Sequence, residues 1–316
     1  MIGRRTFLGV VGAGMVSPRL LSALSASSAL RASSVYVERW SWAMGQPVSL
    51  KLFASSEAEG YDAAQAAFAE LRRIEAKLSR FDPTSDLTAL NERAGGSPIL
   101  VDPELARVLR IAEGVRGATG GAFDPAIEPV MRAWGFHAER STAPSAPELA
   151  EARAAVRAAK LRWDGGRVAL DGSGAALDLG GIGVGYGLDR AGAVLRARGI
   201  GSALLDVSGD LLAIGAPPGE RGWEVGIADP SATGGAPVRT VHLHDRALAT
   251  SANTESVVRW NGKAFGHVMD PHTAAPAARV RQVTVVAPSG VLADAWSTAA
   301  FVGTVPPPRG CELFAV

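Results

Sequence analysis

A glycine-rich segment in the middle of the chain limits the nucleotide-binding folds that the sequence can adopt. The segment LDLGGIGVGYGLDRAG (177–192) carries five glycines between residues 180 and 187. Their GxGxGxG spacing differs from the GxGxxG fingerprint of a Rossmann fold and disfavours that fold. A Walker A loop is excluded because no Gly-Lys-Ser/Thr follows. Backbone N–H groups at such a turn can still bind an anion, although tight strand-to-helix packing would select the same glycines.

Length, charge and cysteine content narrow the class of protein. The chain has 316 residues, enough for one large or two modest domains with a sizeable core. Its net charge is +1, so the charge balance does not indicate a nucleic-acid partner. Cys311 is the single cysteine, which excludes an internal disulfide, a CxxC pair and a zinc site built from cysteines.

The first 34 residues have the pattern of an export signal. Arg4 and Arg5 precede an apolar run of about ten residues, which a small-residue stretch follows. Adjacent arginines before Phe-Leu are typical of the twin-arginine route; an ordinary Sec signal or a cytosolic helix is the alternative. The apolar run is too short to span a bilayer, which needs ~20 residues. We therefore expect residues 35–316 to form one domain that is exported to the periplasm or to the outer face of the cytoplasmic membrane.

Helical and strand patterns are intermixed along residues 35–316, and most strands fall in the second half. Amphipathic spacing and capping residues predict helices over 59–81, 102–121, 141–159, 187–199 and 290–303. Alternating or short apolar runs predict strands over 48–55, 161–170 (a hairpin), 175–179, 202–215 (broken at Ser208-Gly209) and 311–316.

Oxygen-bearing side chains share one face of the last predicted helix. Asp294, Ser297 and Thr298 stand at i, i+3 and i+4. A carboxylate and two hydroxyls are ligands suited to Mg²⁺. Taken alone, the group favours an aspartate near a helix start with hydroxyls bonded to the preceding turn.

A histidine and an aspartate flank a predicted turn in the segment FGHVMDPHT. His267 has the chemistry of a general base, and Asp270 begins an Asp-Pro turn. The same pattern also suits a strand histidine whose ring nitrogens bond to the backbone.

The order of these motifs along the chain is more specific than any one of them. The sequence resembles the ApbE family, the FAD:protein FMN transferases, in seven segments that occur in the same order. They are MGQP (44–47), LSRFDPTSDLTALN (78–91), TGGAFDPAI (119–127), LDLGGIGVGYGLDRA (177–191), VSGDLLAIG (207–215), GHVMDPHT (266–273) and VTVVAPSGVLADAWSTA (283–299).

This resemblance implies a fold, an activity and partners. The fold would be α+β, an antiparallel β-sheet region with packed helices in a T-fold-like architecture. The protein would bind FAD and Mg²⁺ and attach FMN through a phosphoester to a Thr or Ser of an acceptor protein, with release of AMP. The acceptor would be a membrane-associated redox protein.

The resemblance also assigns site residues. Those at the FAD would be Met44, Phe81, Ala122, Phe123, Asp124, Asp178, Val184 and His267. The magnesium ligands would be the Gly181 carbonyl and the side chains of Asp294 and Thr298, with Ser297 adjacent and able to join them. His267 would take the proton of the acceptor hydroxyl, and Asp270 would hold its turn.

One departure from the family pattern lies in the glycine segment. Val184 stands where the family commonly has a Lys or Glu that touches the nucleotide. If that contact is buried, its loss costs about 1–3 kcal/mol. Two other functions therefore stay open at this point: an FAD pyrophosphatase that releases FMN and AMP, and a non-catalytic periplasmic flavin-binding protein.

Overall fold

The computed structural model describes residues 34–137, 140–231, 235–253 and 256–316. Within these ranges the chain forms seven helices: α1 (Glu57–Leu78), α2 (Asp86–Glu92), α3 (Pro103–Ala118), α4 (Glu128–Trp134), α5 (Ala146–Ala158), α6 (Gly183–Ala197) and α7 (Gly290–Val302). Among the described residues, no helix combines the length and the apolarity needed to cross a membrane. The predicted signal, apart from its last residue, lies outside the described residues.

Antiparallel strands form the second structural layer. In chain order they are β1 (Val35–Ala43), β2 (Gln46–Ala54), β3 (Ile99–Leu100), β4 (Lys160–Asp164), β5 (Arg167–Asp171), β6 (Ser202–Val207), β7 (Asp210–Ile214), β8 (Trp223–Ile227), β9 (Arg239–Leu243), β10 (Ala247–Ala252), β11 (Val257–Trp260), β12 (Lys263–Gly266), β13 (Met269–Asp270), β14 (Ala275–Pro276), β15 (Gln282–Ala287) and β16 (Glu312–Ala315). Seven of them make the main sheet, in the order β1-β2-β6-β7-β10-β15-β16.

The main core lies between this sheet and helices α1, α6 and α7. Alternate residues of β2 (Val48, Leu50 and Leu52) face that core and are fully buried, as the period of two in a strand requires. The opposite face of the sheet is partly covered by the β8–β9 hairpin, whose Trp223 is buried there. The predicted α+β architecture, an antiparallel sheet with packed helices, is confirmed.

Local signals set most of the helix boundaries. Ser56 caps α1 by accepting a hydrogen bond from the N–H of Glu59, and Asp102 caps α3 in the same way with Pro103 at the first helical position. The break predicted at Ser208-Gly209 is confirmed as the turn between β6 and β7, where both residues have positive φ (49° and 100°). This turn brings Ser208 to the edge of the site described below.

The strand predicted over 175–179 is wrong. No ladder forms there, because the side chain of Asn91 takes the place of a neighbouring strand. Its Oδ1 accepts from the N–H of Leu177 at 2.7 Å, and its Nδ2 donates to the Leu177 carbonyl at 2.9 Å. Conversely, β1 was not predicted, because its aromatic residues lie on the solvent side. Trp40 is 70% exposed, which hides the usual alternation.

Candidate flavin-nucleotide site

A cavity of about 270 Å³ lies where β6, β7 and β10 meet the start of α6 and the side of α7. Ten of the residues assigned from the sequence line it: Phe81, Ala122, Phe123, Asp124, Asp178, Gly181, Val184, His267, Asp294 and Thr298. They come from five separated stretches of the chain. A second, open groove of about 670 Å³ lies at the other end of β6 and β7, and none of the assigned residues lines it.

The glycine segment lets α6 and α7 approach each other at backbone distance. A Cβ at Gly185 would lie 2.1 Å from the carbonyl oxygen of Gly290 and 2.7 Å from Cβ of Asp294. No side chain fits there, so these glycines serve close helix–helix packing. The packing places the Asp294 carboxylate beside the start of α6, where its Oδ2 accepts from the N–H of Gly185 at 3.0 Å.

Asp294 is a buried carboxyl without a cationic partner among the described residues. Its exposed fraction is 6%, and burial raises its pKa to about 7, which the N–H of Gly185 opposes. Oγ1 of Thr298 lies close to Gly181, at 2.9 Å from the position of a Cβ on that glycine. The buried Asp294 carboxylate, the Thr298 hydroxyl and the nearby backbone of Gly181 form a set of hard oxygen donors that fits Mg²⁺.

Three assigned residues do not line the cavity. The hydroxyl of Ser297 contacts Oγ of Ser251 at 2.8 Å and donates to the Asp294 carbonyl at 2.9 Å. Met44 lies in the β1–β2 turn, where its side chain packs against Gly183 and Gly187 of α6. Both support the walls of the cavity from behind.

Asp270, the third of these residues, organises the turn that follows β13. Its Oδ1 accepts from the N–H of His272 at 2.8 Å, and its Oδ2 accepts from the Thr273 hydroxyl at 3.0 Å. The turn ends at Ala274, whose carbonyl accepts from the indole N–H of Trp134 at 2.9 Å. Through these two hydrogen bonds Asp270 stabilises the turn that follows it.

His267 enters the cavity wall just after β12. Its Nδ1 is buried and has no hydrogen-bond partner among the described residues. Burial lowers the pKa of His267, whereas the Ser256 backbone and the charge of Asp178 raise it less. A neutral imidazole in the cavity wall, with one ring nitrogen lacking a hydrogen-bond partner among the described residues, has the chemistry of a proton acceptor.

Asp124 lies in the loop between α3 and α4 and is 8% exposed. Its Oδ2 is 2.9 Å from Nε of Arg116, and its Oδ1 accepts from the N–H of Ala126 at 2.9 Å. Burial nevertheless raises the pKa of Asp124. These contacts fix the loop and hold Phe123 against the cavity.

The sequence did not predict a charged cluster in the cavity wall beside Phe81 and Asp178. Nδ1 of His137 lies 2.6 Å from Oε2 of Glu128 and 3.6 Å from Oδ2 of Asp178. Arg80 pairs with the other oxygen of Glu128 at 2.5 Å. The rings of His137 and Phe81 pack at right angles, with centroids 5.3 Å apart. Glu128 carried no spacing signal in the sequence, because its partners His137 and Arg80 lie 9 and 48 residues away.

Hydroxyl and carboxylate groups at the strand ends complete the lining. Ser208, Asp210, Thr250 and Ser251 face the cavity from the ends of β6, β7 and β10. Oδ1 of Asp210 accepts from the N–H of Thr250 at 3.2 Å. The wall nearest Asp294 is therefore polar, whereas the wall near Phe81 combines aromatic rings with the charged cluster.

Comparison with known proteins identifies the family of this chain. The model of the ApbE family matches residues 44–314. The FAD:protein FMN transferase of Treponema pallidum is 34% identical over 261 residues, which cover 78% of this chain and 72% of the relative. The enzyme of the same name from Rhodobacter capsulatus is 36% identical over 251 residues, 77% of this chain and 47% of the relative.

Solved structures share the fold. The ApbE protein of Thermotoga maritima superposes with a TM-score of 0.82 at 29% identity, covering 89% of this chain and 94% of that one. The flavin transferase ApbE of Vibrio cholerae has the same fold, with a TM-score of 0.76 at 24% identity. With the family model matching nearly all of the described chain, this protein belongs to the ApbE family.

Proposed function

We propose that this chain is a Mg²⁺-dependent FAD:protein FMN transferase, which joins FMN to a Thr or Ser hydroxyl of an acceptor protein and releases AMP. The prediction of a transferase agrees with the names of its relatives. One observation carries the proposal. A single cavity joins the residues assigned to the flavin nucleotide with a buried carboxylate that has no cationic partner among the described residues.

The donor set around Asp294 would hold the metal. Asp294 and Thr298 would supply side-chain oxygens, and Gly181 would supply its carbonyl. Ser297 would support them from behind, since its hydroxyl is engaged with Ser251 and the Asp294 carbonyl. When bound, Mg²⁺ would neutralise charge on the diphosphate oxygens as the anhydride breaks.

The protein's own groups would position the reactants and take one proton. Phe81 and Asp178 would hold the flavin nucleotide, with Asp124 keeping its loop in place. The acceptor hydroxyl oxygen forms a bond to the FMN phosphorus, and the anhydride P–O bond to AMP breaks. The hydroxyl proton passes to the neutral imidazole of His267. Positioning and charge neutralisation supply most of the catalysis in such transfers.

Incubation with FAD, Mg²⁺ and an acceptor peptide that carries a Ser/Thr target motif tests this proposal. We expect the peptide to gain the mass of FMN less one water, and AMP to appear in an amount equal to the adduct. A variant of the peptide with Ala in place of the hydroxyl residue is the control. FMN and AMP without a peptide adduct would instead identify a pyrophosphatase, and bound FAD without either product would identify a flavin carrier.

Export and the nature of the acceptor are separate parts of the proposal. The twin-arginine pattern supports export through segment 1–34, and an exported enzyme of this kind would act on a membrane-associated redox protein at the outer face of the membrane. Fusion of residues 1–34 to a reporter tests the route. We expect export that is lost when Arg4 and Arg5 are both changed to Lys; export that survives this change would contradict the twin-arginine assignment.

A further inference from the structure

We propose that His137 is a positioning residue of the flavin-nucleotide site, which holds the Phe81 ring and the Asp178 carboxylate in place from an anchor on Glu128. This inference rests on the proposed function, because Phe81 and Asp178 are the groups we assign to FAD. His137 itself lines the cavity and belongs to none of the motifs used to find the site.

The anchor is Glu128, at the start of α4. Its side chain is 1% exposed, and its two oxygens have different partners: Oε1 pairs with Arg80 at 2.5 Å and with Arg132 at 3.4 Å, and Oε2 pairs with His137 at 2.6 Å. A carboxylate buried this deeply and held from two sides has one low-energy orientation. The imidazole bonded to it is therefore fixed in direction.

From this anchor Arg80 and His137 hold Phe81. Arg80 lies over the Phe81 ring at 4.5 Å from its centroid, and His137 meets the ring edge-on at 5.3 Å. Phe81 is 72% exposed, so its own packing does not fix it. An exposed aromatic ring that is clamped by two anchored neighbours is a ready surface on which a planar ring of the ligand can stack.

His137 also faces the carboxylate of Asp178, whose side chain is 12% exposed, at 3.6 Å. Oδ1 of Asp178 accepts from the N–H of Gly180 at 2.6 Å, and Oδ2 is the oxygen nearer His137. Four charged or titratable groups interact electrostatically with the Asp178 carboxyl: His137, Glu128, Arg80 and His267. Burial raises the pKa of Asp178, and His137 is the largest influence that lowers it.

A metal ion is the alternative occupant of this cluster. Ligand atoms of Glu128, His137 and Asp178 lie within 4.8 Å of one another. However, Nδ1 of His137 already bonds to Glu128, and Arg80 already neutralises the same carboxylate. A divalent cation there would have to displace the histidine bond and lie beside a guanidinium. The geometry therefore favours a clamp.

Two substitutions at His137 test its ring contact with Phe81 and its Nδ1 contact with Glu128 separately. His137→Phe keeps a ring against Phe81 but removes Nδ1. His137→Asn keeps a nitrogen donor for Glu128 but removes the ring. His244→Phe is the matched control, because His244 is an exposed histidine in the groove at the other end of β6 and β7. Isothermal titration with FAD reports binding without requiring turnover.

We expect His137→Phe to weaken FAD binding about tenfold and to leave kcat at saturating FAD within about twofold. The acid limit of FAD binding should move to higher pH, because Asp178 loses the influence that lowers its pKa. His137→Asn should weaken binding less, and His244→Phe should change nothing. A simple loss of packing would lower kcat and thermal stability without moving the pH limit.

Unchanged FAD affinity and an unchanged acid limit in His137→Phe would overturn the positioning role. Wild-type protein that binds FAD without forming products would instead overturn the proposed transferase while leaving the His137 comparison valid. Binding of Zn²⁺ alone by the wild type that both His137 variants lack would show that the cluster is a metal site and not a clamp on Phe81.

Discussion

The backbone N–H of Gly185 donates to Oδ2 of Asp294 at 3.0 Å across the contact between α6 and α7. The glycine segment and the carboxylate of the last helix, which are 109 residues apart, thus form one unit. The glycines bring the helices together, and the N–H at the start of α6 orients the buried acid. Substitutions on either side of this contact should therefore affect the same property, the binding of Mg²⁺.

Gly185→Ala should damage both stability and metal binding. The new Cβ would meet the Gly290 carbonyl at 2.1 Å, so α7 must move away. Overpacking of this kind costs about 1–3 kcal/mol, and urea unfolding measures it. Gly183→Ala is the control, since its nearest contacts would be at 3.9 Å. If the two variants unfold at the same urea concentration, the helices are not held at backbone distance.

Asp294→Asn should abolish metal-dependent turnover while leaving the fold intact. The amide oxygen can still accept from Gly185, but a neutral group binds Mg²⁺ poorly. Because the pKa of Asp294 is raised to about 7 in the folded state and is near 3.9 in the unfolded chain, ionisation opposes folding as pH rises through this interval. Without metal, the variant should therefore be as stable as wild type near pH 4 and more stable at pH 8.

Thermal unfolding in EDTA at these two pH values measures that difference. Retained Mg²⁺-dependent turnover in the variant would remove Asp294 from the metal site. Equal stability of the two proteins at both pH values would mean that the carboxyl is not desolvated.

Added Mg²⁺ should stabilise the wild type more at pH 8 than at pH 6. Below a pKa of about 7 the Asp294 carboxyl is mostly protonated, so metal binding must first release a proton. The apparent affinity should rise with pH and level off above 7. Mg²⁺ titrations followed by the melting temperature at each pH check this, with Asp294→Asn as the variant in which the pH dependence disappears.

His267→Gln should lower kcat by about 10²–10⁴-fold, the usual contribution of a general base, with little change in FAD affinity. Since burial lowers the pKa of His267, its neutral form should persist below the ordinary value of 6.5. At saturating Mg²⁺ and FAD, the acid limb of kcat in the wild type should therefore lie below pH 6.5. A limb at or above that pH, or a variant of near-normal kcat, would assign the proton to another group.

The sequence predicted the parts of this site that local patterns encode. Caps, turns and apolar spacing located α1, α3 and the β6–β7 hairpin, and ordered motifs located Asp178, His267 and Asp294. It missed Glu128 and His137 because their contacts depend on how α4 packs against the rest of the fold. The strand predicted over 175–179 failed for a related reason: nothing local shows that Asn91 would satisfy the Leu177 backbone.

Val184 is the position at which a gain of function can be tested. Its half-buried side chain lines the cavity at the start of α6, between the Asp178 and Asp294 walls. Val184→Lys would bring a flexible cation to a cavity proposed to bind a diphosphate. One charge-assisted hydrogen bond contributes about 1.5–3 kcal/mol, so FAD affinity should rise at least tenfold. Val184→Met, similar in length but neutral, is the control in calorimetric titrations. Equal affinities of the two variants would show that the side chain at 184 does not reach the phosphates, and the departure from the family pattern would then be neutral for binding.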